Sequence, residues 1–132
     1  PYRAVRLDPL LARPVVQDLL ALTRVLLQPA DRAALLAVLR APFAGLTLAD
    51  LHALAGDGHA PEDPDALARL TPDGRWRASR VFAALADAHT GWRRRSVREL
   101  VEGLWQRLGG PACCVRPASD LADAAAYLDA LE

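Results

Sequence analysis

From Pro14 onward the apolar residues recur at three- and four-residue intervals, and prolines and glycines cut that pattern into short blocks. A 3.6-residue period places such residues on one helix face, so the chain must pack several short helices around a shared core. Val16, Leu19, Leu20, Thr23, Leu26 and Leu27 form one stripe, widened by Val15 and Leu22. So broad an apolar face marks a central, largely buried helix, opened by Pro14 and stopped by Pro29. A second helix is predicted from about Ala30 to Arg40, with Leu35, Leu36 and Leu39 inward, ending before Pro42. Thr47 and Asp50 fit a variant capping box for a third helix, Leu48 to Ala55.

Beyond it, Gly56 to Asp65 has the composition of a loop, and a brief helical turn follows at Ala66 to Leu70. Thr71-Pro72 opens a long helix with Ala78, Phe82, Leu85, Ala88 and Trp92 on one side. Ser96 and Glu99 form a regular capping box for the next, whose face is Val97, Leu100, Val101, Leu104, Trp105 and Leu108. Gly109-Gly110-Pro111 closes that helix. The last helix is expected from near Ser119, burying Leu121, Ala124, Ala125, Leu128 and Leu131. Only residues 2–7 depart from this period: Tyr2-Arg3-Ala4-Val5-Arg6-Leu7 reads as a strand or extended arm with no β-partner later in the chain. The expected fold is all-α, an irregular multi-helix bundle of about five to seven helices with a short extended N-terminal arm.

Composition narrows the function classes. With 52% apolar residues, 132 residues can bury roughly two-thirds of their unfolded surface, which excludes a disordered tail. Sixteen cations, all arginine, balance sixteen Asp and Glu, so no overall field draws in a polyanion. Arginine without lysine accords with a high-GC coding bias or with a phosphate-binding surface. No segment nears the roughly 20 apolar residues of a membrane span, and the expected location is cytoplasmic, with the nucleoid. The absence of Met, including at position 1, leads us to expect a trimmed protein or a piece of a longer one.

Catalytic constellations are missing. The phosphate-cradling G-x-x-x-x-G-K-[ST] pattern cannot be completed without lysine. His52, His59 and His89 lack metal-ligand spacing, and adjacent Cys113 and Cys114 are expected as reduced thiols. The acidic stretch from Asp57 to Asp65 does not match a calcium loop. No catalytic, cofactor or metal residue is therefore assigned. Two arginine clusters remain: Arg75, Arg77 and Arg80 around Trp76, and Arg93, Arg94 and Arg95 followed by Arg98. Each fits either a solvated face, paired in part with Asp73, Asp87 or Glu99, or contact with nucleic-acid phosphates.

The run Pro14-Val15-Val16-Gln17-Asp18-Leu19-Leu20-Ala21-Leu22, followed by Asp31-Arg32-Ala33-Ala34-Leu35-Leu36-Ala37-Val38-Leu39-Arg40-Ala41-Pro42-Phe43-Ala44-Gly45-Leu46-Thr47, resembles the UvrD/Rep/RecB/AddA helicases of superfamily 1. Pro1-Tyr2-Arg3-Ala4-Val5 is similar to the strand just after helicase motif IV. Leu104 to Ala112 and Asp120 to Leu128 are similar to matching parts of RecB-like, exonuclease V β-type members. The resemblance implies a fragment: residues 1–12 as the end of the 2A motor segment, and residues 13–132 as the helical 2B-like accessory domain. It implies a parent that hydrolyses ATP with Mg²⁺ outside this chain, with motor motifs on both sides, and that acts in DNA repair or recombination, possessing or lacking an exonuclease. In the family the turn matching Ala44-Gly45-Leu46-Thr47 reads R-G-I-G and gives backbone amides to a DNA phosphate. Here Ala44 and Thr47 replace the Arg and the second Gly, and Thr47 suits an N-cap as well as a phosphate contact.

The expected function is thus a non-catalytic accessory domain that holds duplex or forked DNA through Arg40, Gly45, Thr47, Arg93, Arg94 and Arg95. Two rivals are a docking module for other helicase domains or a partner subunit, and an independent helix-turn-helix-like regulator. The latter would need an unusually long turn at residues 42–45 and a third helix without arginine.

Overall fold

The computed structural model describes residues 9–55 and 63–132. Among these, seven α-helices and one 3-10 turn build the fold, and no residue lies in a strand. The helices are α1 (Pro14–Leu27), α2 (Arg32–Arg40), α3 (Leu48–Ala55), α4 (Pro64–Ala68), α5 (Pro72–Thr90), α6 (Val97–Arg107) and α7 (Pro117–Ala130), with the 3-10 turn at Pro111–Cys113. The chain is an all-α bundle. The strand expected at residues 2–7 lies outside the described residues. Residues 9–11 are also helical, ahead of the seven helices named.

α1 is the central helix its stripe demands. Val16, Leu19 and Leu22 are fully buried, and the helix packs on α2, α5, α6 and α7. The polar residue in the stripe, Thr23, is buried with both its hydrogen-bonding needs met. Its hydroxyl donates to the Leu19 carbonyl (2.8 Å) and shares a hydrogen bond with Tyr127 Oη (3.0 Å), tying α1 to α7. α2 starts at Arg32 rather than Ala30 because the Asp31 carboxylate accepts the Ala34 N–H (3.0 Å) and fixes the cap there.

The expected Thr47/Asp50 box is only half made. Thr47 Oγ1 accepts the Asp50 amide (3.2 Å), but the Asp50 carboxylate turns away. It accepts the Thr71 N–H (3.1 Å) and hydroxyl (3.0 Å) instead, and Thr71 in turn caps α5 by accepting the Gly74 N–H (3.0 Å). Aspartate is one methylene shorter than the glutamate a full box uses, which leaves its carboxylate for a partner across the fold. α6 has the longer side chain and closes both halves of its box, Ser96 with Glu99. It ends in a Schellman turn: Gly109 adopts φ 83°, its amide bonds the Gln106 carbonyl, and the Gly110 amide bonds that of Trp105 (2.9 Å).

Two expected faces are displaced. α7 begins at Pro117, two residues early, and buries Ala124, Tyr127 and Leu128, leaving Leu121 and Ala125 exposed. The Tyr127–Thr23 bond fixes that rotation. α5 buries Val81 and Ala84 beside Ala78 and Leu85. Trp92 is exposed because the helix stops at Thr90, so this ring never joins the core face.

Candidate nucleic-acid interface

The described arginines divide by what their guanidinium groups meet. Arg80, in the first predicted cluster, donates to the carbonyls of Phe43 (3.2 Å) and Leu108 (2.9 Å), stapling the α2–α3 turn to the end of α6. Arg77 donates to the Ala44 carbonyl (3.2 Å) and pairs with Asp73 (2.9 Å). Arg32 donates to the Leu54 carbonyl at the end of α3 (2.7 Å). Arg107 pairs with Asp87 (2.6 Å), and Arg98 meets Asp129 (3.0 Å), Glu132 (2.7 Å) and Glu102 (3.8 Å). Arginine has five donors in a fixed fork, so one side chain can satisfy carbonyls from two segments at once. The carbonyl-capping roles of Arg32, Arg77 and Arg80 were not legible in the sequence, because their acceptors are backbone groups.

Arg93, Arg94 and Arg95 behave differently. They occupy the tight corner between α5 and α6, where the Arg94 amide donates to the Gly91 carbonyl (3.0 Å), and all three side chains are exposed. No ion pair or side-chain hydrogen bond engages them among the described residues. Three adjacent unpaired cations leave a local positive corner on a chain of zero net charge.

The other expected contacts lie elsewhere. Arg40 ends α2 with an exposed side chain, and Gly45 and Thr47 form the turn after it. Gly45 needs its φ of 72°, and a Cβ there would meet the Arg77 guanidinium at 2.7 Å. The amides of Ala44 and Gly45 donate to the Ala41 carbonyl (3.0 and 2.8 Å), and that of Leu46 donates to Leu39 (3.1 Å). A phosphate reaching this turn would find those three amides engaged, and Thr47 is the N-cap of α3. Arg77, near the start of α5, touches this corner, whereas Arg93 follows the end of the same helix. At about 1.5 Å per residue the two corners stand about 20 Å apart along α5. The structure thus splits the expected site residues into two groups.

Two grooves flank the positive corner. One runs between α5 and α6 past Arg94, Arg95 and Arg107, but Asp87 and Glu99 line it too. The other, about 600 Å³, lies between the corner and the C-terminal end of α1 and has no carboxylate in its wall. A smaller cavity of about 80 Å³ holds Asp18, Asp120, Cys113 and Cys114. Burial pushes the Asp18 carboxyl up to about 6, against the attraction of Arg40. Burial and the Asp120 charge raise the Cys114 thiol, which keeps it protonated and a poor nucleophile or metal ligand. Both cysteines are free, and among the described residues no three His, Cys, Asp or Glu converge as metal ligands. His59 and most of the acidic stretch at 57–65 lie outside the described residues. No described helix is long and apolar enough to cross a membrane. No family model, no curated protein and no solved structure matches the chain.

Proposed function

We propose that this chain is a non-catalytic, 2B-type accessory module of a UvrD/Rep-type ATP-dependent DNA helicase, working at the nucleoid, and that it meets DNA phosphates through the α5–α6 corner. The observation that carries the DNA contact is the partition of the arginines. Arg93, Arg94 and Arg95 are adjacent, exposed and without an ion-pair partner among the described residues, so they form a local positive patch that a phosphate can meet. The helicase assignment is supported by the residue-by-residue resemblance from Pro14 to Thr47 and by the all-α bundle that the described residues form. ATP and Mg²⁺ belong to the motor of such a parent.

Titrating a labelled forked duplex against salt tests this. Binding is expected at low salt with a steep loss as salt rises, and replacing Arg93, Arg94 and Arg95 with Ala lowers the log–log slope by about one per phosphate contact removed. Absence of binding at low salt, or an unchanged slope in the triple variant, overturns the DNA contact. A docking role against other helicase domains or a partner subunit is favoured by a separate feature. Trp76 and Leu48 are 64% and 72% exposed on α5 and α3, two helices already joined through Asp50 and Thr71. A helix-turn-helix regulator fits less well: Ala41 through Thr47 separate α2 from α3, and His52 is the only cationic-type side chain on α3.

A further inference from the structure

We infer that the carboxylate-free cleft beside the α5–α6 corner takes single-stranded nucleic acid, with a base stacked on Trp92 and the adjoining phosphates on Arg93 and Arg94. The inference rests on the phosphate-contacting role proposed above and names the form of nucleic acid that role serves.

Trp92 follows the end of α5, so its indole stands at the corner instead of in the core and is 39% exposed, against 5% for Trp105. Across the cleft, the end of α1 presents Leu26, Leu27 and Pro29, with Leu27 also exposed. An aromatic wall, an apolar floor and a volume of about 600 Å³ make a cleft for a flat, partly apolar group. Arg93 and Arg94 form its rim, and His89 and Thr90 complete the wall without any acidic residue. Arg94 also borders the α5–α6 groove, but there Asp87 and Glu99 oppose an anion. An anionic ligand is therefore steered to the Trp92 side. Both α1 and α5 end at this cleft, each contributing about half a negative charge, which two guanidinium groups outweigh.

Three ligands carry the negative charge the rim asks for, and they differ in what they bring to the indole. An intact duplex keeps its bases stacked on one another and leaves Trp92 and the leucines in water. An acidic peptide satisfies the arginines but has no flat face in register with them. A strand with unpaired bases supplies both, since every base has a face to stack and a phosphate at a fixed distance from it.

The test is fluorescence anisotropy of the 132-residue chain with labelled oligo(dT), an abasic strand of equal length and a duplex of equal length. Oligo(dT) is expected to bind most tightly. Trp92→Ala should weaken it about tenfold, the size of one aromatic–base stack, and Trp92→Phe should restore most of the loss. Binding of the abasic strand should not respond to Trp92→Ala, and circular dichroism of that variant should match the parent. Equal losses on both strands overturn the stacking. Tighter binding to duplex, dependent on Arg93 and Arg94 but not on Trp92, overturns this inference and leaves the phosphate contact in place. If neither strand nor duplex binds at low salt, both fall, and a labelled oligoglutamate binding in their stead assigns the cleft to an acidic protein partner.

Discussion

Asp50 and Asp18 are both carboxylates turned toward the interior, and their surroundings give them opposite effects. Asp50, 3% exposed, accepts two hydrogen bonds from Thr71 and so fixes where α5 starts. Asp50→Ala leaves the Thr71 amide without its acceptor and should cost about 3 kcal/mol in urea unfolding. Gly74→Ala should also destabilise, because a Cβ at Gly74 would collide with that same carboxylate. Asp18 has no hydrogen-bond or ion-pair partner among the described residues, and burial raises it from 3.8 to about 6. The folded chain then holds this proton more tightly than the unfolded chain, so stability falls as pH climbs from about 4 through about 6 and is level above that. Asp18→Asn is accordingly expected to raise Tm at neutral pH, with the gain shrinking toward pH 4. Melts across that interval check it, and a gain independent of pH would place the carboxylate in water.

Helix ends, more than helix faces, set how the elements meet. α1 and α7 are registered by Thr23 and Tyr127, α3 and α5 by Asp50 and Thr71, and the α2–α3 turn, α5 and α6 by Arg80. The Arg80 link reaches a carbonyl of the α2–α3 turn, Phe43, and the C-cap carbonyl of α6, Leu108, which has no helical donor. Arg80→Ala should lower stability by about 2 kcal/mol. Arg80→Lys should recover only part of that, since one ammonium cannot span the Phe43 and Leu108 carbonyls together. Chemical denaturation of the three proteins separates these outcomes; full recovery by lysine would reduce the link to simple charge. The capping box of α6 was legible because its two partners lie three residues apart. The Asp50–Thr71 and Arg80 links were not, because their partners are 21 to 37 residues away in sequence.

At the scale of the molecule, α1 touches α2, α5, α6 and α7, so its loss removes the common floor of the bundle. Leu22→Ala, at a fully buried site on α1, should cost about 3 kcal/mol. It should lower Tm by about 10 °C in a single transition, because a helix shared by four neighbours cannot melt alone. Coincidence of helical circular dichroism with tryptophan fluorescence, which follows buried Trp105, checks this; two separate transitions would divide the bundle into independent units. The balanced charge of the whole chain also sharpens the interface. With no overall attraction for a polyanion, the proposed contact would have to draw on local clusters such as the adjacent, unpaired Arg93, Arg94 and Arg95.

What the sequence determined is what depends on neighbours within a few residues. The helical period placed α1 and α6, Pro and Gly placed most of their ends, and the Ser96–Glu99 spacing placed a cap. Such signals act over one or two turns, where the backbone itself fixes the geometry. The tertiary structure decided which arginines remain free. In the sequence the clusters at 75–80 and 93–95 are equivalent, and only folding brings the Phe43, Ala44 and Leu108 carbonyls to Arg77 and Arg80 while leaving the second cluster without a partner. It also turned α7 so that Tyr127 meets Thr23, and left Trp92 beyond the end of its helix. Side-chain partners far apart in the chain are chosen by packing, and no local period encodes them.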